Sequence, residues 1–137
     1  MGGCCSHSTV LSSPKGRNMK KFDDKIRVVL IGGGHTNVQV LKILNDKLPP
    51  ATRSKVDLTL ISKGTIAFYS GMLPGSVAKA YNEEQITIDL RVLSISTNTN
   101  LIETPVKNIN PDQNEIVLED ERKIDYDFMS FNIGSRT

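Results

Sequence analysis

Residues 31–37 read IGGGHTN, set between the apolar run VVL (28–30) and the stretch VQVLKIL (38–44). The longer run IRVVLIG (26–32) is nearly continuous in apolar character and rich in β-branched residues. That is the composition of a strand buried on both faces of a parallel sheet. After the glycines, Val38, Val40, Leu41, Ile43, Leu44 and Leu48 recur near the helical period, which gives HTNVQVLKILNDKL one apolar face to lay on such a sheet. Pro49 and Pro50 stop the helix, because proline lacks the amide hydrogen that the helical ladder needs. KVDLTLIS (55–62) supplies a second strand through Val56, Leu58, Leu60 and Ile61. Strand, glycine turn, helix and strand in that order make a βαβ unit with a right-handed crossover.

The glycines take separate roles if the turn cradles a phosphate. Gly32 can make the tight turn out of the strand, and Gly34 lets the backbone approach a pyrophosphate that a side chain would repel. Gly33 adds freedom without a required role. The N–H groups around Gly34, His35 and Thr36 then open the helix and present its positive dipole end to the anion. Two positions depart from the G-x-G-x-x-G dinucleotide fingerprint. The third glycine, which normally permits close packing of helix on strand, is Asn37. The acidic residue normally found after the second strand, where it bonds the ribose, is replaced by Ser62 and Lys63. Spacing alone leaves two readings open, nucleotide binding and an α/β domain with a glycine-rich turn.

A chain of 137 residues with 38% apolar and 23% charged residues has the composition of one globular domain. Its formal charge of +2 is unevenly spread. Lys15, Arg17, Lys20, Lys21, Lys25 and Arg27 face only Asp23 and Asp24 in the first 27 residues, which leaves the remainder slightly acidic. A nearly neutral folded part argues against nucleic acid as a partner. The stretch 1–25 has no apolar periodicity and reads as a flexible, basic extension that the M-G-x-x-x-[ST] pattern marks for acylation. Gly2 would carry a myristoyl group, and Cys4 and Cys5 would be palmitoylated. The basic run would add the further attraction to anionic lipid that a single acyl chain requires. With no other cysteine, a structural disulfide framework is excluded. No secretory signal or spanning apolar run is visible, so the expected location is cytoplasmic, peripheral on a cytoplasmic membrane face.

The segment LISKGTIAFYSGMLPGSVAKAYNEEQITIDLRVL, taken with VVLIGGGHTNVQVLK, resembles the FAD-binding start of the pyridine nucleotide-disulfide oxidoreductase superfamily. More narrowly it is similar to the branch related to type II NADH dehydrogenases that is found fused to selenophosphate synthetase. That branch has a G-G-G-H-[ST]-x-V turn, a YSGMLPG segment and an IDLR segment. Gly32 to Val38, Tyr69 to Gly75 and Ile88 to Arg91 match them position by position, so the absent third glycine is a feature of the branch. The last third, TNLIETPVKNINPDQNEIVLEDERKIDYDFMSFNIGSRT, resembles the family's third strand, an antiparallel excursion and a return strand ending in Y-D-x-x-x-x-x-x-G-S, here Tyr126, Asp127, Gly134 and Ser135. Within it LIETPVKNIN and NEIVLED read as short strands separated by the turn-forming NPDQN.

The resemblance covers residues 26–137 and implies an α/β, Rossmann-like FAD-binding domain with a parallel sheet and a small antiparallel excursion. It places Gly32, Gly34, His35 and Thr36 on the FAD pyrophosphate, with Gly33 in the same turn, and Ser62 and Lys63 near the adenosine ribose. Val106 would meet adenine through its backbone. Met72, Leu73 and Pro74 would approach the flavin, and Gly134 and Ser135 would return beside the pyrophosphate. Each has a simpler alternative: His35 exposed at a helix start, Tyr69, Met72 and Leu73 as core packing, Lys63 as a solvated charge. No residue is assigned a catalytic or metal-binding role. GTIAFYSGMLPG (64–75) holds no cysteine, so the reaction class implied is direct transfer from NAD(P)H to flavin to a quinone or other acceptor. Family members continue into an NAD(P)H-binding domain, and with the sequence ending at Thr137 the expectation is a truncated FAD-binding portion, inactive alone. The alternative is a membrane-anchored, non-catalytic nucleotide-binding or adaptor module. A link to selenium metabolism is a third reading.

Overall fold

The computed structural model describes residues 25–133. The extension carrying Gly2, Cys4 and Cys5 lies outside these residues, as do Gly134 and Ser135. The apolar run becomes β1 (Ile26–Ile31), the amphipathic stretch α1 (His35–Lys47), and the second run β2 (Val56–Ile61), parallel to β1 in a register that sets Ile31 beside Ile61. The helix ends as expected. Leu48, preceding Pro49, is already extended at φ −75°, ψ 129°, the conformation that a following proline enforces. Pro50 then serves as the first residue of a single helical turn, α2 (Pro50–Arg53), where its missing amide hydrogen costs nothing.

The stretch read as one strand, LIETPVKNIN, is divided. Asn100–Ile102 forms β5, parallel to β2, whereas Val106–Asn110 forms β6 in a separate antiparallel sheet. Pro105 between them has no amide hydrogen to offer a ladder, so the break falls there. The excursion continues as β7 (Glu115–Leu118) and β8 (Lys123–Asp125), with the NPDQN turn closed by Asn114 in the left-handed region at φ 52°. The return strand β9 (Phe128–Phe131) pairs with β1 on the side away from β2. The main sheet has the order β5-β2-β1-β9, all parallel.

Alternation along β1 and β2 divides the core between the two faces of this sheet. Leu30, Leu58 and Leu60 meet Val38 and Leu41 of α1 and Leu90. Val29, Ile31, Ile61 and Ile102 meet Ile116, Leu118 and Tyr126, so the excursion covers the opposite face. Burial pushes the Tyr126 phenol pKa up. Its neighbour Asp127 ties the beginnings of β9 and β1 together, accepting from the Arg27 backbone N–H at 2.9 Å and from Arg27 Nε at 3.3 Å. The Tyr-Asp pair of the return-strand motif therefore has a packing role and a clamping role.

Residues 64–99, which gave no periodic signal, fold through local caps. β3 (Ile66–Phe68) pairs antiparallel with β4 (Thr87–Asp89). Between them lie a 3-10 turn (Ser70–Met72), α3 (Leu73–Val77) and α4 (Glu83–Ile86). Asn82 and Gln85 form a reciprocal capping box on α4. Asp89 caps α5 (Leu90–Ser96) by accepting from the N–H groups of Arg91 and Val92. The IDLR segment is thus a strand end, a helix cap and a helix start.

Asp127→Ala is expected to lower stability by about 1–3 kcal/mol in urea denaturation, because it strips a half-buried acceptor from the β1–β9 junction. Lys107→Ala, which breaks only an exposed pair with Glu121, should change it by less than about 1 kcal/mol.

Candidate nucleotide-binding site

The chain leaves β1 toward β2 on one side, and β9 adds on the other, so a crevice opens beyond the carboxyl ends of β1 and β9 where the strand order reverses. Open α/β sheets bind ligands at such a point. Gly32 makes the turn there at φ +91°, and a Cβ at this position would lie 2.3 Å from the Asn132 carbonyl oxygen. Only glycine meets both demands. A Cβ at Gly34 would come within 1.8 Å of Asn132 Oδ1, whereas one at Gly33 would meet the movable end of the Leu90 side chain.

A cavity of about 550 Å³ adjoins the turn, walled by Gly32, Gly33, Ser62, Lys63, Pro105, Val106, Phe131 and Ile133 among others. Five of the residues singled out in the sequence thus come together: Gly32, Gly33, Ser62, Lys63 and Val106. Gly34, His35 and Thr36 form the adjoining start of α1 rather than the cavity wall. Met72, Leu73 and Pro74 are not brought into the cavity; they lie on the 3-10 turn and α3. What joins that segment to the glycine turn is a ring contact between His35 and Tyr69, with centroids 4.5 Å apart and planes tilted by 44°. Among the described residues, no group of acidic, histidine or cysteine side chains has the arrangement of a metal site.

The donors expected to face an anion are partly engaged. Gly34 N–H donates to the Asn132 carbonyl at 3.1 Å, and Thr36 N–H donates to Asn132 Oδ1 at 3.2 Å. Gly34 has no side chain with which to cap α1, and Asn132 supplies the cap from far along the chain. Sequence reasoning missed this residue, since a tertiary cap leaves no local signal.

Asn37 resolves differently from its sequence reading. It is fully buried at 0% exposure, and its Nδ2 donates to the carbonyls of Ile31 at 3.0 Å and Gly32 at 2.8 Å. Its Oδ1 accepts from the Ser130 hydroxyl of β9 at 2.9 Å. The carboxamide fills the space between α1, β1 and β9 that a third glycine would leave to close packing. Its polar atoms are satisfied there, as burial requires.

No protein-family model matches the chain, and no curated protein matches it in sequence. Solved structures do. A sulfide:quinone oxidoreductase from the hyperthermophilic bacterium Aquifex aeolicus superposes with a TM-score of 0.68 at 25% identity, over 81% of this chain and 25% of that one. This chain has the fold of the pyridine nucleotide-disulfide oxidoreductases. Two further members with this fold are putidaredoxin reductase in its covalent complex with putidaredoxin and the NADH:rubredoxin oxidoreductase of Clostridium acetobutylicum. The first has a TM-score of 0.65 at 24% identity over 83% of this chain and 27% of that one. The second has a TM-score of 0.63 at 20% identity over 82% and 29%. The chain spans about a quarter of the length of these oxidoreductases.

Restoring the fingerprint glycine with Asn37→Gly is expected to destabilise this oxidoreductase fold by about 2–4 kcal/mol, from lost buried hydrogen bonds and a glycine in a helix. Ser130→Ala should cost about 1 kcal/mol, and the double variant should fall short of the sum, measured by chemical denaturation.

Proposed function

We propose that residues 26–137 are the FAD-binding portion of an NAD(P)H-dependent flavoprotein oxidoreductase. The observation that carries this reading is the glycine turn at the point of strand reversal. Gly32 at φ +91° and a side-chain-free Gly34 open the start of α1 toward a cavity of about 550 Å³. The fit is that of a nucleoside diphosphate moiety: apolar walls at Val106, Pro105 and Phe131 for a base, the Ser62 hydroxyl for a ribose, and the positive end of a 13-residue helix for phosphate. Lys63 adds a cation at the rim. The oxidoreductases with the same fold support the choice of FAD.

In this reading the flavin supplies hydride acceptance and release. The chain's own residues bind and orient. Gly32, Gly33, Gly34, His35 and Thr36 hold the pyrophosphate side, while Ser62, Lys63 and the Val106 backbone hold the adenosine. Gly134 and Ser135 are proposed as further pyrophosphate contacts and Met72, Leu73 and Pro74 as flavin contacts, the latter segment joined to the turn through the His35–Tyr69 contact. Among the described residues a single strand–glycine turn–helix unit is present, so NAD(P)H is proposed to bind elsewhere in the protein. Residues 26–137 alone are proposed to bind FAD weakly at best and without turnover.

A second proposal concerns the extension. Gly2, Cys4, Cys5 and the following lysines are proposed to attach the protein to an anionic membrane face by acylation. No helix among the described residues is long and apolar enough to cross a membrane.

The 137-residue chain is expected to bind FAD, seen as quenched flavin fluorescence and a raised melting temperature. Gly32→Val should abolish both effects, and a parent chain that leaves flavin fluorescence and melting unchanged would overturn the proposal. Gly2→Ala should release the protein from the membrane fraction of expressing cells; unchanged partitioning would remove the acylation proposal.

A further inference from the structure

Asn132, just after β9, makes three hydrogen bonds to the end of β1 and the start of α1. Its backbone N–H donates to the Ile31 carbonyl at 2.8 Å, its carbonyl accepts from Gly34 N–H, and its Oδ1 accepts from Thr36 N–H. These three bonds use one donor and both acceptors, and they fix the side chain as well as the backbone. The two N–H donors on Nδ2 have no hydrogen-bond partner among the described residues. Asn132 is half-buried and lies between Phe131 and Ile133, which both wall the cavity. Its carboxamide also lies over Gly34, where a Cβ would approach Oδ1 to 1.8 Å.

The amide orientation follows from chemistry, since Thr36 N–H can only be met by the oxygen. The nitrogen is then left without a partner among the described residues, beside Gly34 and Thr36, at the start of α1 rather than in the cavity wall. The turn has meanwhile committed the N–H groups of Gly34 and Thr36 to Asn132. A phosphate arriving there meets fewer free backbone donors than a bare helix start would offer.

We infer that Asn132 is a ligand-binding residue whose Nδ2 amide donates to the phosphate of a nucleoside diphosphate seated at the glycine turn. It replaces backbone donors that it has itself occupied. The inference rests on the nucleotide reading above. It adds a residue to that site and gives it a stated atom and role.

Asn132→Asp tests it without losing the cap. Aspartate has the same shape and keeps an oxygen on Thr36 N–H. It favours the helix dipole, so the free protein should melt at or above the parent temperature. It removes the amide donors and places a negative charge beside the phosphate. Affinity for FAD and for ADP should fall by about 10- to 100-fold, as expected for losing a hydrogen bond to a charged group. Adenosine, which carries no phosphate, should bind the variant and the parent equally.

Asn132→Gln, which can still present an amide, should recover part of the ADP affinity. Equal ADP affinity for parent and Asn132→Asp would overturn the assignment while leaving the nucleotide site standing. So would tighter ADP binding by Asn132→Ala, because the carboxamide would then be an obstacle rather than a contact. If the parent binds neither FAD nor ADP, the nucleotide reading falls and the assignment falls with it.

Discussion

The carboxamide of Asn37 is the joint on which the rest of the architecture depends. One buried side chain holds the carbonyls that end β1 and the hydroxyl of Ser130 on β9, while its backbone belongs to the first turn of α1. A buried amide with unmet donors would be costly, and here the donors and the acceptor are all used. The position of the helix start relative to the sheet, and therefore the opening of the crevice, is set by directional bonds instead of by the close contact that a glycine would allow. Such bonds tolerate little displacement, so the turn that carries Gly32 and Gly34 is held from both neighbouring elements.

Much of this was legible in the order of residues. The βαβ unit could be read because a strand buried on both faces and a helix covering it need different apolar periods, and IRVVLI and VQVLKIL display them in succession. The NPDQN turn was readable for the same kind of local reason. Gly32, Gly33, Ser62 and Lys63 come together around one cavity because each lies at or just past a strand end, and strand ends are fixed once the strands are.

What was not legible depends on partners far along the chain or on caps. β5 is too short to show a period, and its pairing with β2 assigns it to a different sheet from the excursion strand that follows Pro105. The small elements between Gly64 and Leu90 rest on single side chains, Asn82 and Asp89, whose spacing to Gln85 and Arg91 was a usable signal that periodicity passes over. Asn37 reads in isolation as the loss of a glycine. Its third partner, Ser130, lies 93 residues away, so only the fold shows that it contributes a bond.

That separation bears on how the molecule is assembled. The contacts that complete the crevice join Asn37 to Ser130, Thr36 to Asn132 and Arg27 to Asp127, across 93, 96 and 100 residues. Closing loops of that size carries an entropic cost that nearby pairings such as β1 with α1 and β2 do not share. The first βαβ unit can therefore gather before β9 docks, with one edge of β1 still open to any strand that meets it. The crevice beside the glycine turn is therefore complete only once the last strand is in place.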